Sequence, residues 1–371
     1  MKTEERAFWV AFNHIRGVGS VRVQKLLKAF GSLQAAWSAS RTELLQAGLD
    51  ERTTTAIAAG RAGLDPHKLL DRCRTLGLKV LVLDDSDYPP RLKELPSPPP
   101  VLYLRGAMTE ADGLAVAIVG TRRATAYGKE AARMFASALA VSGITVISGM
   151  ARGIDAEAHT SALDHHGRTL AVLGCGADVI YPPEHQRLAR RIAESGAILS
   201  DYAPGTPPDA ANFPPRNRII AGLSLATLVV EAGEESGALL TACYAAEYGR
   251  DVFAVPGNIF SVQSRGCNRL IGDGAQPAVS PEALIAALDL PRLAPALQMR
   301  MIVPESPVEA KILEALGAEP VHIDRLRASL GLPVETVSGA LAMMELKGMV
   351  RTVGGMQYVA ASPRPSADHS E

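Results

Sequence analysis

Three short runs place arginine beside constrained backbone, and together they suggest a grip on phosphate. They are Gly120-Thr-Arg-Arg123, Ser148-Gly-Met-Ala-Arg-Gly-Ile-Asp155 and Phe213-Pro-Pro-Arg-Asn-Arg-Ile-Ile220. Gly149 and Gly153 permit a tight turn around Arg152, and Pro214 and Pro215 stiffen the approach to Arg216 and Arg218. A guanidinium held in a fixed place can bind one phosphate through two parallel hydrogen bonds, and Arg122 is suited to this. Arg216 and Arg218 are two residues apart, which on a helix separates them by about 200°. Both can face one ligand only where the chain is extended or just entering a helix; otherwise one contacts the ligand and the other supports the fold. Ser264-Arg-Gly-Cys-Asn268 adds Arg265 from a later loop, either completing the cationic pocket or standing alone on the surface. Asp155 suits a helix N-cap, and His159 reads as a packing or capping residue. The loop at Gly120 departs from G-x-G-x-x-G, and G-x-x-x-x-G-K-[ST] is absent from the chain. Neither a Ser/His/Asp order nor metal-ligand spacing occurs. The expectation is a site that holds and does not cut, with no catalytic residue, metal or cofactor.

The elements that must position these runs alternate. Leu78–Leu83, Ala115–Val119, Ile144–Ile147, Thr169–Leu173, Ala197–Leu199, Leu225–Val230 and Asp251–Val255 are apolar and strand-like. Helical patterns fall at about 127–141, 155–165, 184–194 and 237–248. This predicts an α/β fold with an extended Rossmann-like, mainly parallel sheet covered on both faces. Ligands on such sheets bind beyond the carboxyl ends of the strands, where the arginine runs fall. Residues 1–77 read as short helices broken by glycine, a helix-hairpin-helix or SAM-like domain. There Gly17-Val-Gly19 precedes a helix with Val23, Leu26, Leu27 and Phe30 on one face and Arg22, Lys25 and Lys28 away from it. Such a turn can hold a backbone phosphate; the bland alternative is a solvated basic face on a packing domain. The Rossmann-like domain spans 78–290, a linker 291–303, a winged-helix domain 304–360 and a disordered tail 361–371.

Composition bounds the partners. The formal net charge is −1 over 371 residues, so any polyanion site is local. Aromatics are 5% of the chain, which argues against broad base-stacking platforms. Cys73, Cys175, Cys243 and Cys267 lack ligand spacing and read as reduced thiols. The N-terminus has no signal-peptide core, and no apolar run is long enough to span a bilayer, so a cytoplasmic protein is expected.

At these runs the chain resembles the DNA-processing protein A family (DprA, also called Smf). The resemblance is carried by Ala117-Ile-Val-Gly-Thr-Arg122, Ser148 to Asp155 with His159, Ala171 to Asp178 followed by Tyr181-Pro182, Phe213 to Ser224, Val230 to Ala242, Gly249 to Gly257 and Gly266 to Ala275. It covers about residues 78–280 in order. The resemblance implies homodimers that bind single-stranded DNA, protect incoming strands during natural transformation and load the recombinase RecA. Carried over, the strand-binding residues would be Arg122, Gly149, Arg152, Arg216 and Arg218; Arg265 comes from the residue pattern alone. Pro183 stands where relatives often have lysine, so one cation is missing.

Two other readings compete. A nucleotide-processing enzyme of the phosphoribohydrolase type shares the architecture, but the stretch Glu231–Ala242 lacks its glutamate in the first helical turn. A transcription regulator would act through the winged helix. Its recognition helix, Val334–Lys347, carries Glu335 and Glu345 against Lys347, a poor surface for a major groove. Contact with protein, or with the main domain, is the expectation there.

Overall fold

A computed structural model describes residues 3–288, 306–316, 320–346, 350–353 and 355–360. The expected linker, the tail and Lys347 lie outside them. The chain divides into two compact units, Met1–Leu293 and Ala294–Glu371.

The first unit opens with six helices, α1 (Thr3–Asn13), α2 (Ser20–Phe30), α3 (Leu33–Ser38), α4 (Arg41–Gln46), α5 (Glu51–Gly63) and α6 (Pro66–Thr75). Ser32, Ser40, Asp50 and Asp65 cap α3 to α6 by accepting backbone N–H bonds. After them come β1 (Lys79–Val82), α7 (Pro90–Lys93), β2 (Val101–Gly106), β3 (Ala115–Val119), α8 (Ala126–Val141), β4 (Thr145–Ser148), α9 (Ile154–Asp164) and β5 (Thr169–Val172). The unit continues through α10 (Gln186–Ser195), β6 (Ala197–Ser200), α11 (Phe213–Leu223), β7 (Ala226–Val229), α12 (Ala238–Glu247), β8 (Asp251–Ala254), α13 (Arg265–Gly272), β9 (Gln276–Pro277) and α14 (Pro281–Ala287).

The strands form one sheet in the order β1-β2-β6-β5-β4-β3-β7-β8-β9. From β6 to β9 every pairing is parallel, while β2 runs antiparallel to both β1 and β6. Strand β2 was not among the expected strands; it starts directly after Pro98, Pro99 and Pro100, a stretch that reads as an extended turn.

Strand β3 shows why the centre is parallel. All five residues are buried, and alternate ones enter different cores: Ala115, Ala117 and Val119 on one face, Val116 and Ile118 on the other. Helices α8 and α9 cover the second face through Ala132, Phe135, Leu139, Ala158 and Ala162. Helices α11 and α12 cover the first through Ile219, Ile220, Leu223, Leu239 and Ala242.

The N-terminal helices share a core with the sheet. Trp9, Phe12, Leu26, Leu33 and Ile57 belong to one buried cluster with Val80, Val82, Val101 and Tyr103. Asn13 reinforces the junction, accepting from Tyr103 Oη at 2.9 Å and donating to Asp201 O at 3.2 Å. The boundary expected at 77/78 therefore runs through packed side chains. The basic face expected on α2 is partly spent: Arg22 donates to Gly17 O and pairs with Asp50 at 2.8 Å, and Lys25 donates to Gly48 O at 2.8 Å.

The second unit carries α15 (Pro307–Ala315), α16 (Ile323–Leu330) and α17 (Val334–Leu346), with a sheet of β10 (Val321–His322), β12 (Gln357–Ala360) and β11 (Val350–Thr352) in that order. Ile312, Leu326, Val337, Leu341 and Met344 form its core. Three helices and a hairpin wing match the expected winged helix.

Among the described residues no helix is long and apolar enough to cross a membrane, and no cluster of His, Cys, Asp and Glu could hold a metal.

Candidate functional site

The chain leaves β3 toward one edge of the sheet, through α8 to β4, and returns later to place β7 on the other side of β3. The loops after β3 and β7 thus diverge and open a crevice at the carboxyl ends of the strands. A cleft of about 890 Å³ lies there, lined by Gly120–Arg123, Ala151, Asp155, Tyr181, Phe213, Arg216, Asn217, the loop Gly233–Gly237, Leu240, Val262 and Gln263, among others.

Buried charge holds the β4–α9 turn. Asp155, one residue inside α9, accepts the N–H groups of Gly149 at 3.1 Å and Ala151 at 3.2 Å. Arg216 Nη1 donates to Gly149 O at 3.0 Å and also to Val172 O, so it clasps the ends of β4 and β5. Gly149 lies between the two. A Cβ there would stand 2.7 Å from Arg216 Nη2 and 2.8 Å from Asp155 Oδ2, so only glycine fits. Gly153 is needed for a different reason. Its φ is +76° and a Cβ would strike the Thr121 carbonyl, because the β3 and β4 loops touch there. Burial raises the Asp155 carboxyl, opposed by Arg216, and lowers the Arg216 guanidinium.

Arg122 is exposed and has no ion-pair or hydrogen-bond partner among the described residues. Its guanidinium lies 5.3 Å from the Phe213 ring centroid, and that of Arg216 lies 5.6 Å from it. Tyr181 packs against the same ring at 5.7 Å. Arg123 lines the cleft beside Arg122, and its side chain too has no ion-pair or hydrogen-bond partner among the described residues. An available cation beside aromatic surface can take a phosphate and the base or sugar next to it.

The expected residues do not all converge. Arg122 and Arg216 line the cleft, but Arg216 is 4% exposed and spends Nη1 on main-chain carbonyls. Gly149 is a spacer inside the buried charge pair. Arg152 stands outside the lining on an exposed turn, paired with Glu184 at 2.5 Å. Arg218 faces away: α11 is helical from Phe213, so a two-residue step carries it to another side, where it pairs with Asp201 at 2.8 Å and donates to Ser97 O at 2.6 Å. That corrects its expected place in the pocket. Arg265 begins α13, exposed and without a side-chain partner among the described residues, and is not among the cleft residues.

Arg123 and Phe213 lie within the arginine runs and Tyr181 outside them; none of the three carried an expected role, yet all line the cleft. The low aromatic content concealed that two of the few rings meet here. Asp155 is not an N-cap side chain, since Gly153 occupies that position. His159 is buried, with Nδ1 2.6 Å from Thr169 Oγ1. Thr169 donates its own proton to Val146 O at 2.7 Å, so His159 Nδ1 must be the donor and Nε2 carries no proton. Glu231, the second residue after β7, is buried and accepts from Thr125 N at 2.8 Å and Thr125 Oγ1 at 2.6 Å. It thereby fixes Thr125, whose own Oγ1 caps α8 by accepting from Gly128 N at 3.1 Å. Glu234 and Glu235 are exposed on the same loop and line the cleft.

Comparison with known proteins agrees with this architecture. The family model described as DNA recombination-mediator protein A matches residues 79–289, and that of the DprA winged helix domain matches 291–356. Protein Smf of Synechocystis is 38% identical, covering 96% of this chain and 99% of its own. Protein Smf of Escherichia coli is 39% identical over 74% of this chain and 76% of its own. The X-ray structure of DprA from Streptococcus pneumoniae superposes with a TM-score of 0.68 at 30% identity, covering 76% of this chain and 97% of that one. A Helicobacter pylori DprA structure, described as giving insight into its single-stranded DNA binding mode, has a TM-score of 0.53 at 32% identity, covering 58% and 98%.

Proposed function

The chain belongs to the DNA recombination-mediator protein A family, and on that footing we propose that it holds single-stranded DNA in the cleft beyond β3 and β7 without cleaving it. It protects incoming strands in the cytoplasm during natural transformation, loads RecA onto them and works as a homodimer. The observation that carries this reading is Arg122. It is a solvent-facing guanidinium with no protein partner among the described residues, set over Phe213 at the switch point of a parallel sheet. Arg122 and Arg123 take phosphates, with Arg152 joining at the rim once Glu184 releases it. Arg216 and Gly149 act by fixing the turns beneath, and Arg218 by holding α11. Arg265 contributes only where the strand extends past the cleft toward α13. The winged helix meets protein: the exposed residues of α17 include Glu335, Met343 and Glu345, with no cation on that helix among the described residues.

A single strand exposes its backbone to such a cleft, and each phosphate contact releases condensed counterions, giving a salt slope of about −0.7 per contact. The test is fluorescence anisotropy of labelled oligo-dT and duplex at rising salt, for wild type, Arg122→Ala and Arg152→Ala. Strong preference for the single strand is expected, with Arg122→Ala weakening binding and flattening the slope by about 0.7. Equal affinity for the two forms of DNA would reject the reading.

A further inference from the structure

The cleft is chemically two-sided. The loop after β3 contributes Arg122 and Arg123, whereas the loop after β7 contributes Glu234 and Glu235, and next to these stand Leu240 and Val262. Phosphates are attracted to the first set and repelled by the second. Leu240 is 43% exposed and Val262 61%. Two and three residues before Val262 the same loop carries Phe260 and Ile259, 84% and 73% exposed. Val262 lines the cleft, while Asn258 and Ser261 line a neighbouring hollow with Thr125 and Tyr127, so Phe260 belongs to the loop that forms the ridge between the two.

This ridge is firmly built. Asn268 donates to and accepts from the Gly257 backbone at 3.0 and 3.1 Å. Asn258 accepts Phe260 N at 2.9 Å through its side chain and Ser261 N at 2.9 Å through its carbonyl. Tyr127 Oη donates to Pro256 O at 2.8 Å. A bare aromatic ring on a pinned loop gains nothing from the protein's own core.

We propose that Phe260, with Leu240 and Val262, is a base-binding surface for the nucleotides adjoining those whose phosphates the arginines hold. The occupant is the unpaired nucleobase of the same strand, identified by the loop's continuity with the cleft through Val262 and by Glu234 and Glu235, which repel phosphates on the β7 side of the cleft. The inference rests on the cleft reading above and orients the strand within it. It also selects single strands, because a duplex hides its base faces. Any base has a face to stack, so little sequence preference follows.

The experiment compares oligo-dT with an abasic strand of equal length and charge, measured on wild type, Phe260→Ala, Val262→Ser and Arg122→Ala. Wild type should prefer the strand with bases, and Phe260→Ala should cut that preference about fivefold or more while leaving the salt slope unchanged. Phe260→Trp should keep the preference and show emission quenched by oligo-dT and not by the abasic strand. Arg122→Ala reads the phosphate half separately: an unchanged salt slope there defeats the cleft reading itself. With that slope responding, an unchanged base preference in Phe260→Ala and Val262→Ser would overturn the stacking surface. So would a fall in solution mass of Phe260→Ala by light scattering with its base preference intact, which would assign the ridge to self-association.

Discussion

Arg216→Met tests whether this arginine acts through the fold. The substitution keeps the length of the side chain and removes the guanidinium. It withdraws two charged hydrogen bonds from the carbonyls of Gly149 and Val172, each worth about 1.5–3 kcal/mol. It also strips the buried Asp155 of its nearby cation. Desolvation of the wild-type guanidinium offsets part of this, and breaking a buried charge pair by removing one member costs about 3–5 kcal/mol net. We expect a loss in that range at neutral pH. Urea unfolding followed by tryptophan emission is the assay, since Trp9 and Trp37, the only tryptophans, both lie in the first unit and so exclude the winged helix from the signal. The pH dependence sharpens the test. Burial already raises the Asp155 carboxyl, and without Arg216 it rises further. The folded variant then takes up a proton at higher pH than the unfolded chain does. Its deficit relative to wild type should be greatest at neutral pH and shrink as the pH falls through that raised value. A wild-type midpoint, or a deficit independent of pH, would refute the argument that Arg216 serves the scaffold.

Two further outcomes follow from the same geometry. Arg218→Ala removes the partner of Asp201, and neither residue lines the cleft; stability should fall by about 1–3 kcal/mol, while the salt slope of oligo-dT binding stays at the wild-type value, and a flattened slope would return Arg218 to the binding surface. Burial holds His159 down at about 3, against an ordinary 6.5, so the unfolded chain binds a proton that the native state refuses. Native stability should therefore drop by about 1.4 kcal/mol per unit as the pH falls below the ordinary value; His159→Asn, which keeps a donor toward Thr169, should remove that component, and identical acid unfolding curves would exclude it.

Much of the architecture was legible from residue order. Apolar runs of strand length, interleaved with helical patterns, gave the parallel sheet and its covered faces, because burial on both sides of β3 demands an unbroken apolar run. The winged unit was legible for the same reason, its helical faces being periodic. Strand β2 was not, since a short apolar run after prolines does not announce its direction. Nor was the merging of α1 to α6 with the sheet, which depends on contacts between distant parts of the chain such as that of Asn13 with Tyr103.

For the site, the chain alone marked the loops that matter: glycine and arginine at strand ends are constraints of backbone conformation and charge, both local properties. It could not assign work among the arginines. Arg122, Arg216 and Arg218 share one chemistry, and they differ only in what surrounds them: open solvent over Phe213, the carbonyls at the ends of two strands, and the carboxylate of Asp201. Those surroundings come from α11 packing across the sheet. Whether a guanidinium is free for a ligand depends on the partners that packing brings within a few ångströms, and no stretch of sequence contains them.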